Sequence, residues 1–466
     1  MDAAVIAGAV RMGSRRAEDV IDAALIRAER ASHLGAFKLL HREHALRRAR
    51  SIDAQIAAGV DPGRLAGVPI AIKDNIAHAG MPLEADSFML RGCIAPKTAT
   101  ALARLEREGA VVIGRTRMDA FAMGSSGEFS STGPTLNPLS SDHVPGGSSS
   151  GSAVAVAAGV VPIALGSDTG GSVRLPASYC GVVGLRPTFG RISRSGLVAH
   201  ACSLDQIGPL ARSVRDAAIA THIMSGRDSY DATTLSDGMT PMDASLQPDL
   251  RGRVIGLPSE CWSVETPSHR AVRGALAALQ AAGATLTTVQ LPALRYAASA
   301  YLILSSAEAA SNLSRYDGVR YGLRRIGEDL QSMYTQSRSE GFNSEVRRRI
   351  LFGTMVLAEQ GDSTLYRRAQ RAQADIRRQL EHALQEVDAL VTLTAPTPAF
   401  RLGERCDDPT LMHQTDSLTA PASLIGIPAL SVPVGLVDGL PVGAQIMTAH
   451  GDEATALMLG MAITGR

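Results

Sequence analysis

The sequence predicts an α/β fold, a mixed and twisted β-sheet covered by helices on both faces. Three observations carry that prediction. Segments of helical period alternate with short apolar runs along most of the chain, glycines separate the members of several pairs, and no internal repeat or heptad run interrupts the pattern.

Taken in order, Val20, Ala24, Leu25 and Ala28 recur at helical spacing between Ser14 and Ala31, with Ser14 as the expected N-cap. Thr98 to Glu108 has helical character and stops at Gly109, and Val111 to Ile113 then has the composition of a buried strand. The same order returns at Ala153 to Ala158, Gly159 and the apolar run Val160 to Leu165. Further on, Pro267 to Ala282 is helical, Gly283 ends it, and Thr285 to Leu291 alternates as a strand does. A long helix near Leu365 to Leu384 precedes the apolar run Ala389 to Leu393. Such alternation makes a mainly parallel or mixed sheet with helices packed on both sides. The stretch Gly226 to Gly252, rich in Asp, Ser, Thr, Pro and Gly, is expected to connect two lobes of a single domain spanning residues 1–466. The first lobe holds the motifs at 60–215, and the second covers 253–466.

Composition narrows the function classes. The chain has 466 residues with 46 Lys+Arg against 45 Asp+Glu, so its formal charge of +1 offers no electrostatic footprint for direct nucleic-acid binding. The five cysteines, Cys93, Cys180, Cys202, Cys261 and Cys406, contain no CxxC pair and are expected to be reduced and buried. The apolar run Val5 to Val10 is too short to span a bilayer and follows no basic stretch, which predicts a cytoplasmic protein with no membrane association.

The informative stretch is Pro145 to Pro187, with two Gly/Ser clusters whose tight turns leave backbone N–H groups free to bind an anion. Neither cluster has the GK[ST] that a phosphate loop needs. Gly147 to Gly151 matches the GxSxG nucleophile elbow with Ser149 at its centre, the pattern of an α/β-hydrolase esterase. That elbow requires a buried strand directly before it, whereas Asn137 to Pro145 is polar and Pro-rich, and only His413 or His450 is placed late enough to serve as the base. Flexible loops would explain one such cluster. Two at a fixed interval, each followed by small or apolar residues, point to a built site.

The segments GGSSSGSAVAVAAG and GSDTGGSVRLPASYCGVVGLRPT closely resemble the amidase signature, and the resemblance reaches upstream to Gly67 to Asn75. It implies a Ser-Ser-Lys triad: Ser172 as nucleophile, Ser148 as the bridge, and neutral Lys73, at the end of a buried strand, as the ultimate base. It also implies an oxyanion hole from the backbone N–H groups of Thr169, Gly170, Gly171 and Ser172. No metal or cofactor belongs to that chemistry. A lone lysine is usually a solvated surface residue, but Lys73 follows an apolar run, and burial lowers a lysine's pKa towards neutrality.

Further segments resemble one branch of that family, the A subunits of tRNA-dependent glutamine amidotransferases: Met118 to Ser126, Ser203 to Pro209, Glu308 to Gly322, Glu345 to Arg349 and Pro396 to Asp416. In that branch an arginine and an aspartate hold the carboxylate and ammonium of glutamine, and the matching positions are Arg349 and Asp416. Taken alone, Arg347 to Arg349 would read as a solvated helix face and Asp416 as a helix cap or loop residue. The branch implies glutamine as the small amide substrate and B- and C-type subunits as partners. The chain differs from it at Ala120, Met81 to Glu84 and Ala358 to Tyr366. A stand-alone amidase acting on another small amide is the alternative, and a non-catalytic scaffold role is disfavoured because every triad position is filled.

Overall fold

The computed structural model describes residues 2–237, 249–262, 265–358 and 364–465. Within them the first half of the chain supplies β1 (Phe37–Leu40), β2 (Pro69–Lys73), β3 (Val111–Thr116), β4 (Ile163–Asp168), β5 (Val183–Arg186) and β6 (Gln206–Ala211). The second half supplies β7 (Val254–Pro258), β8 (Thr285–Val289), β9 (Ala389–Leu393), β10 (Ala429–Val437) and β11 (Leu440–Met447). All eleven strands join one sheet in the order β1-β3-β2-β4-β6-β5-β10-β11-β9-β7-β8. The halves meet where β5 pairs antiparallel with β10.

The sheet is mixed. β2 runs parallel to β3 and β4, and β7 runs parallel to β8 and β9, while the central strands are antiparallel. Both faces are covered: Ala389, Val391 and Leu393 of β9 pack into one apolar cluster with the helices Ala17–Arg30 and Glu453–Thr464, while Leu390 packs into another with Ala297–Asn312 and Leu365–Glu386. The period-two alternation of a strand sends neighbouring residues to opposite faces, and a strand covered on both sides is therefore apolar throughout.

The predicted elements are found with adjusted bounds. Helices occupy Thr100–Arg107, Ser150–Ala157, Pro267–Ala281 and Leu365–Glu386. Strand β3 extends past Ile113 to Thr116, and β4 begins at Ile163 rather than Val160. Ser14 does not cap the helix at Ala17–Arg30; Arg16 stands at the cap position, and the Ser14 hydroxyl donates to the carbonyl of Ala9. The reason is a short helix at Ala3–Arg11, which the Val5 to Val10 run forms and whose C-terminal carbonyls recruit Ser14. The cysteines are all free, as expected, but only Cys180 is buried; Cys93, Cys261 and Cys406 are half-buried and Cys202 is exposed. Residues 238–248 of the expected connection and 359–363 of the segment Ala358 to Tyr366 lie outside the described residues. Among the described residues no helix is long and apolar enough to cross a membrane.

Candidate active site

Lys73 closes β2, whose five residues are all buried, so its amine emerges inside the protein. Around Nζ stand three hydroxyls: Ser148 Oγ at 2.8 Å, Ser149 Oγ at 2.9 Å and Ser167 Oγ at 2.9 Å, with the Ser167 carbonyl at 3.2 Å. Asn75 Nδ2 donates to Ser167 Oγ at 2.9 Å and holds that hydroxyl in place. Burial, opposed by Asp119, Asp168 and Asp205, lowers the Lys73 pKa to about 7. Removing a cation from water disfavours its charged form, and among the described residues no carboxylate contacts the amine directly to reverse that.

The second Gly/Ser cluster turns from β4 into the helix Arg174–Cys180. Asp168 anchors both sides of the turn: its Oδ2 accepts from the amide of Val173 at 3.2 Å and from Arg174 Nε at 3.0 Å. Arg174 Nη2 reaches Asp168 Oδ1 at 2.9 Å, and Arg186 Nη1 reaches it at 3.2 Å, all three side chains being fully buried. Burial alone would raise the Asp168 carboxyl, but the two guanidiniums hold it well below the usual carboxylate range. Between these anchors, none of the amides from Thr169 to Ser172 donates to a protein group among the described residues. A Cβ at Gly170 would collide with the ring of Tyr301, and one at Gly171, where φ is +149°, with Thr419. Glycine is required at both by close approach and at Gly171 also by a backbone conformation that side chains disfavour.

The structure brings Lys73 and Ser148 together and places Ser172 at the head of the same turn, where its carbonyl accepts from the Ser149 amide at 3.1 Å. The expected Ser148–Ser172 hydroxyl contact is not formed: Ser148 Oγ touches only Lys73, and Ser172 Oγ makes no hydrogen bond among the described residues. Ser149 does not stand on a strand-to-helix elbow. It heads the helix Ser150–Ala157 without a preceding strand, it is fully buried, and its hydroxyl donates to the Ser167 carbonyl at 3.2 Å.

Arg349 and Asp416 are both buried, which excludes a solvated face for Arg349; Asp416 does lie in the turn between the helices Pro409–Gln414 and Ala420–Ile425, as a buried residue. Arg349, on the helix Ser344–Ala358, gives Nε to Glu345 Oε1 at 2.8 Å and has Nη2 3.4 Å from His413 Nδ1, while its Nη1 has no partner. Asp416 accepts from Ser125 Oγ at 2.7 Å, and burial, opposed by Ser125 and Arg349, raises its pKa to about 7. Its carbonyl accepts from Thr419 Oγ1 at 3.2 Å, and Thr419 is the residue that abuts Gly171. Tyr301, against Gly170, feels the charges of Asp416, Arg349, Asp205 and Asp168. The charged pair and the glycine turn thus belong to one region.

Sequence reasoning missed Ser149, Ser167 and Asn75 as neighbours of the lysine, and Ser125, Tyr301, Thr419, Glu345 and His413 around the charged pair. The first group lies within the motif segments, and Ser125, Glu345 and His413 lie within the branch segments, but no spacing gave them these contacts; nothing local marked Tyr301 or Thr419.

A buried lysine ringed by serine hydroxyls beside a turn of free amides is the equipment of an amide hydrolase without histidine. The chain belongs to the Amidase family, whose model matches residues 19–457. Among its relatives, the A subunit of the glutamyl-tRNA(Gln) amidotransferase of Symbiobacterium thermophilum is 46% identical over 440 residues, covering 93% of this chain and 90% of the relative. The crystal structure of the corresponding A subunit from Thermotoga maritima is 37% identical with a TM-score of 0.80, covering 96% of this chain and 91% of that one. The peptide amidase of Stenotrophomonas maltophilia is 31% identical with a TM-score of 0.84, covering 100% of this chain and 96% of that one.

Proposed function

We propose that this amidase is a glutaminase-type enzyme in which Ser172 attacks the side-chain amide of glutamine and releases ammonia. Neutral Lys73 takes a proton from Ser148 as Ser148 takes one from Ser172, and the Ser172 oxygen adds to the carbonyl carbon. The resulting oxyanion is held by the free amides of the Thr169–Ser172 turn. Collapse breaks the C–N bond while the proton returns through Ser148 to the leaving nitrogen. Water then hydrolyses the ester on Ser172 by the same relay. The Ser148–Ser172 contact that this relay needs forms with substrate bound, since catalytic hydrogen bonds commonly tighten in the Michaelis complex.

The observation that carries the choice of glutamine is the buried Arg349–Asp416 pair beside the glycine turn. A free amino acid presents one anion and one cation, and only a pocket with both opposite charges compensates their desolvation. Arg349 Nη1 is free for a carboxylate oxygen, whereas Nε is engaged by Glu345. Truncating one partner of such a pair costs about 2 to 5 kcal/mol. Arg349→Ala is therefore expected to lower glutaminase activity by roughly thirty-fold or more, while hydrolysis of uncharged propionamide stays near wild type. Equal losses on both substrates would remove glutamine from the reading.

The relatives are named as A subunits of a glutamyl-tRNA(Gln) amidotransferase, which supports further subunits as partners, of B and C type in this reading, and an indirect link to tRNA; a cytoplasmic location belongs to the same reading. The one continuous sheet supports a single working domain. A stand-alone amidase is the second reading, favoured by the full-length match to a peptide amidase. Turnover of neutral amides without turnover of glutamine would select it.

A further inference from the structure

Three histidines gather away from the serines, near the end of the segment that follows Lys73. His41 directly follows β1, His44 lies in the first turns of the helix Arg42–Ala57, and His78 follows β2. Glu106, on the helix Thr100–Arg107, completes the group. His78 Nε2 is 3.2 Å from Glu106 Oε1, and the rings of His44 and His78 meet edge-on with centroids 5.2 Å apart. One donor atom from each of His44, His78 and Glu106 lies within 4.8 Å of the others.

We propose that His44, His78 and Glu106 form a binding site for a divalent transition-metal ion, Zn2+ by the chemistry of the donors. Two imidazoles and a carboxylate are a donor set that zinc takes at about 2.0 to 2.2 Å. Two ligand atoms of a tetrahedral site at that distance stand about 3.3 to 3.5 Å apart, close to the His78–Glu106 spacing of 3.2 Å. His44 and Glu106 are half-buried, so side-chain rotation of His44 closes its edges to His78 and Glu106, both within 4.8 Å, and solvent supplies both an entry path and a fourth ligand.

His78 is 4% exposed and its Nδ1 has no hydrogen-bond partner; His41, with its ring 6.5 Å from that of His78, is 8% exposed with Nε2 also unpartnered. Opposing the site is the positive field of Arg47 and of Arg48, whose Nη2 donates to the Glu106 carbonyl at 2.9 Å. An ion here would tie two helices to the segment carrying Lys73, as a clasp outside the chemistry.

The test uses the untagged full chain, stripped with chelator and titrated with ZnCl2 and separately with CoCl2. Melting temperature and the visible absorption of cobalt are the readouts. Wild type is expected to take up one equivalent, with a melting temperature that rises with free metal. His44→Ala and Glu106→Gln, both at half-buried positions, are expected to fold and to bind at least about ten-fold more weakly. No uptake by wild type, or uptake unchanged in both variants, overturns the proposal; in the second case the metal is held elsewhere, as by the free thiols.

Discussion

Among the described residues Lys73 hydrogen-bonds to four oxygens and contacts no carboxylate, so burial decides its proton affinity. The amine is active only when neutral, and hydrolysis of a neutral amide is expected to rise with pH through an apparent pKa of about 7. Lys73→Ala should abolish that limb along with most of the activity; an unchanged profile in the variant refutes the role. With glutamine the limb should be steeper, because Asp416, also near 7, must lose its proton to meet the substrate ammonium. The serines separate in the same way. Ser172→Ala should lower turnover by roughly three orders of magnitude or more. Ser149→Ala removes one acceptor of the lysine, and a single hydrogen bond accounts for about ten-fold or less. Steady-state kinetics of both variants on one amide decides, and a dead Ser149→Ala beside an active Ser172→Ala reverses the assignment.

Among the elements, the helix Ser344–Ala358 is the one whose position would set glutamine binding under the proposed function, because it carries Arg349 and Glu345. It lies against Ala297–Asn312 at Gly353, where an added Cβ would run into the Ser306 carbonyl. Backbone has nowhere to retreat. Gly353→Ala should force the helices apart, costing about 1 to 3 kcal/mol in denaturant unfolding and raising the KM for glutamine as Arg349 moves. A variant as stable as wild type, with unchanged KM, would show that this contact does not position the arginine. The helix Arg174–Cys180 plays the matching role for the turn, since its first amides and Arg174 are bound to Asp168.

At the scale of the whole molecule, Arg174 ties the two halves of the sheet. Besides Asp168 at the end of β4, it reaches the Thr419 carbonyl and Gln445 on β11, each through Nη1, and Ser423 through Nη2. Removing one member of a buried ion network leaves an uncompensated charge, typically about 3 to 5 kcal/mol. Arg174→Ala should show that loss in urea or thermal unfolding, with the activity at 25 °C falling further than the folded fraction because the turn is released. Stability within about 1 kcal/mol of wild type would contradict this account.

The sequence by itself determined the alternation of helices and strands, the α/β class, the chemistry of the Gly/Ser turns, and the place of Lys73 at the end of an apolar run. Those are local properties: period, turn residues and burial tendency are written in adjacent positions. Tertiary structure decided the rest. The order in which β5 meets β10, the gathering of Ser149, Ser167 and Asn75 around one amine, and the burial of Arg349 beside Asp416 all join residues far apart in the chain. The histidine–glutamate cluster is of the same kind, since His44 and Glu106 sit on two helices, His78 lies in the segment after β2, and no spacing in the sequence connects them. Side-chain proximity of this sort arises only when the sheet closes, because the hydrophobic burial that drives closure is indifferent to which polar groups it brings together.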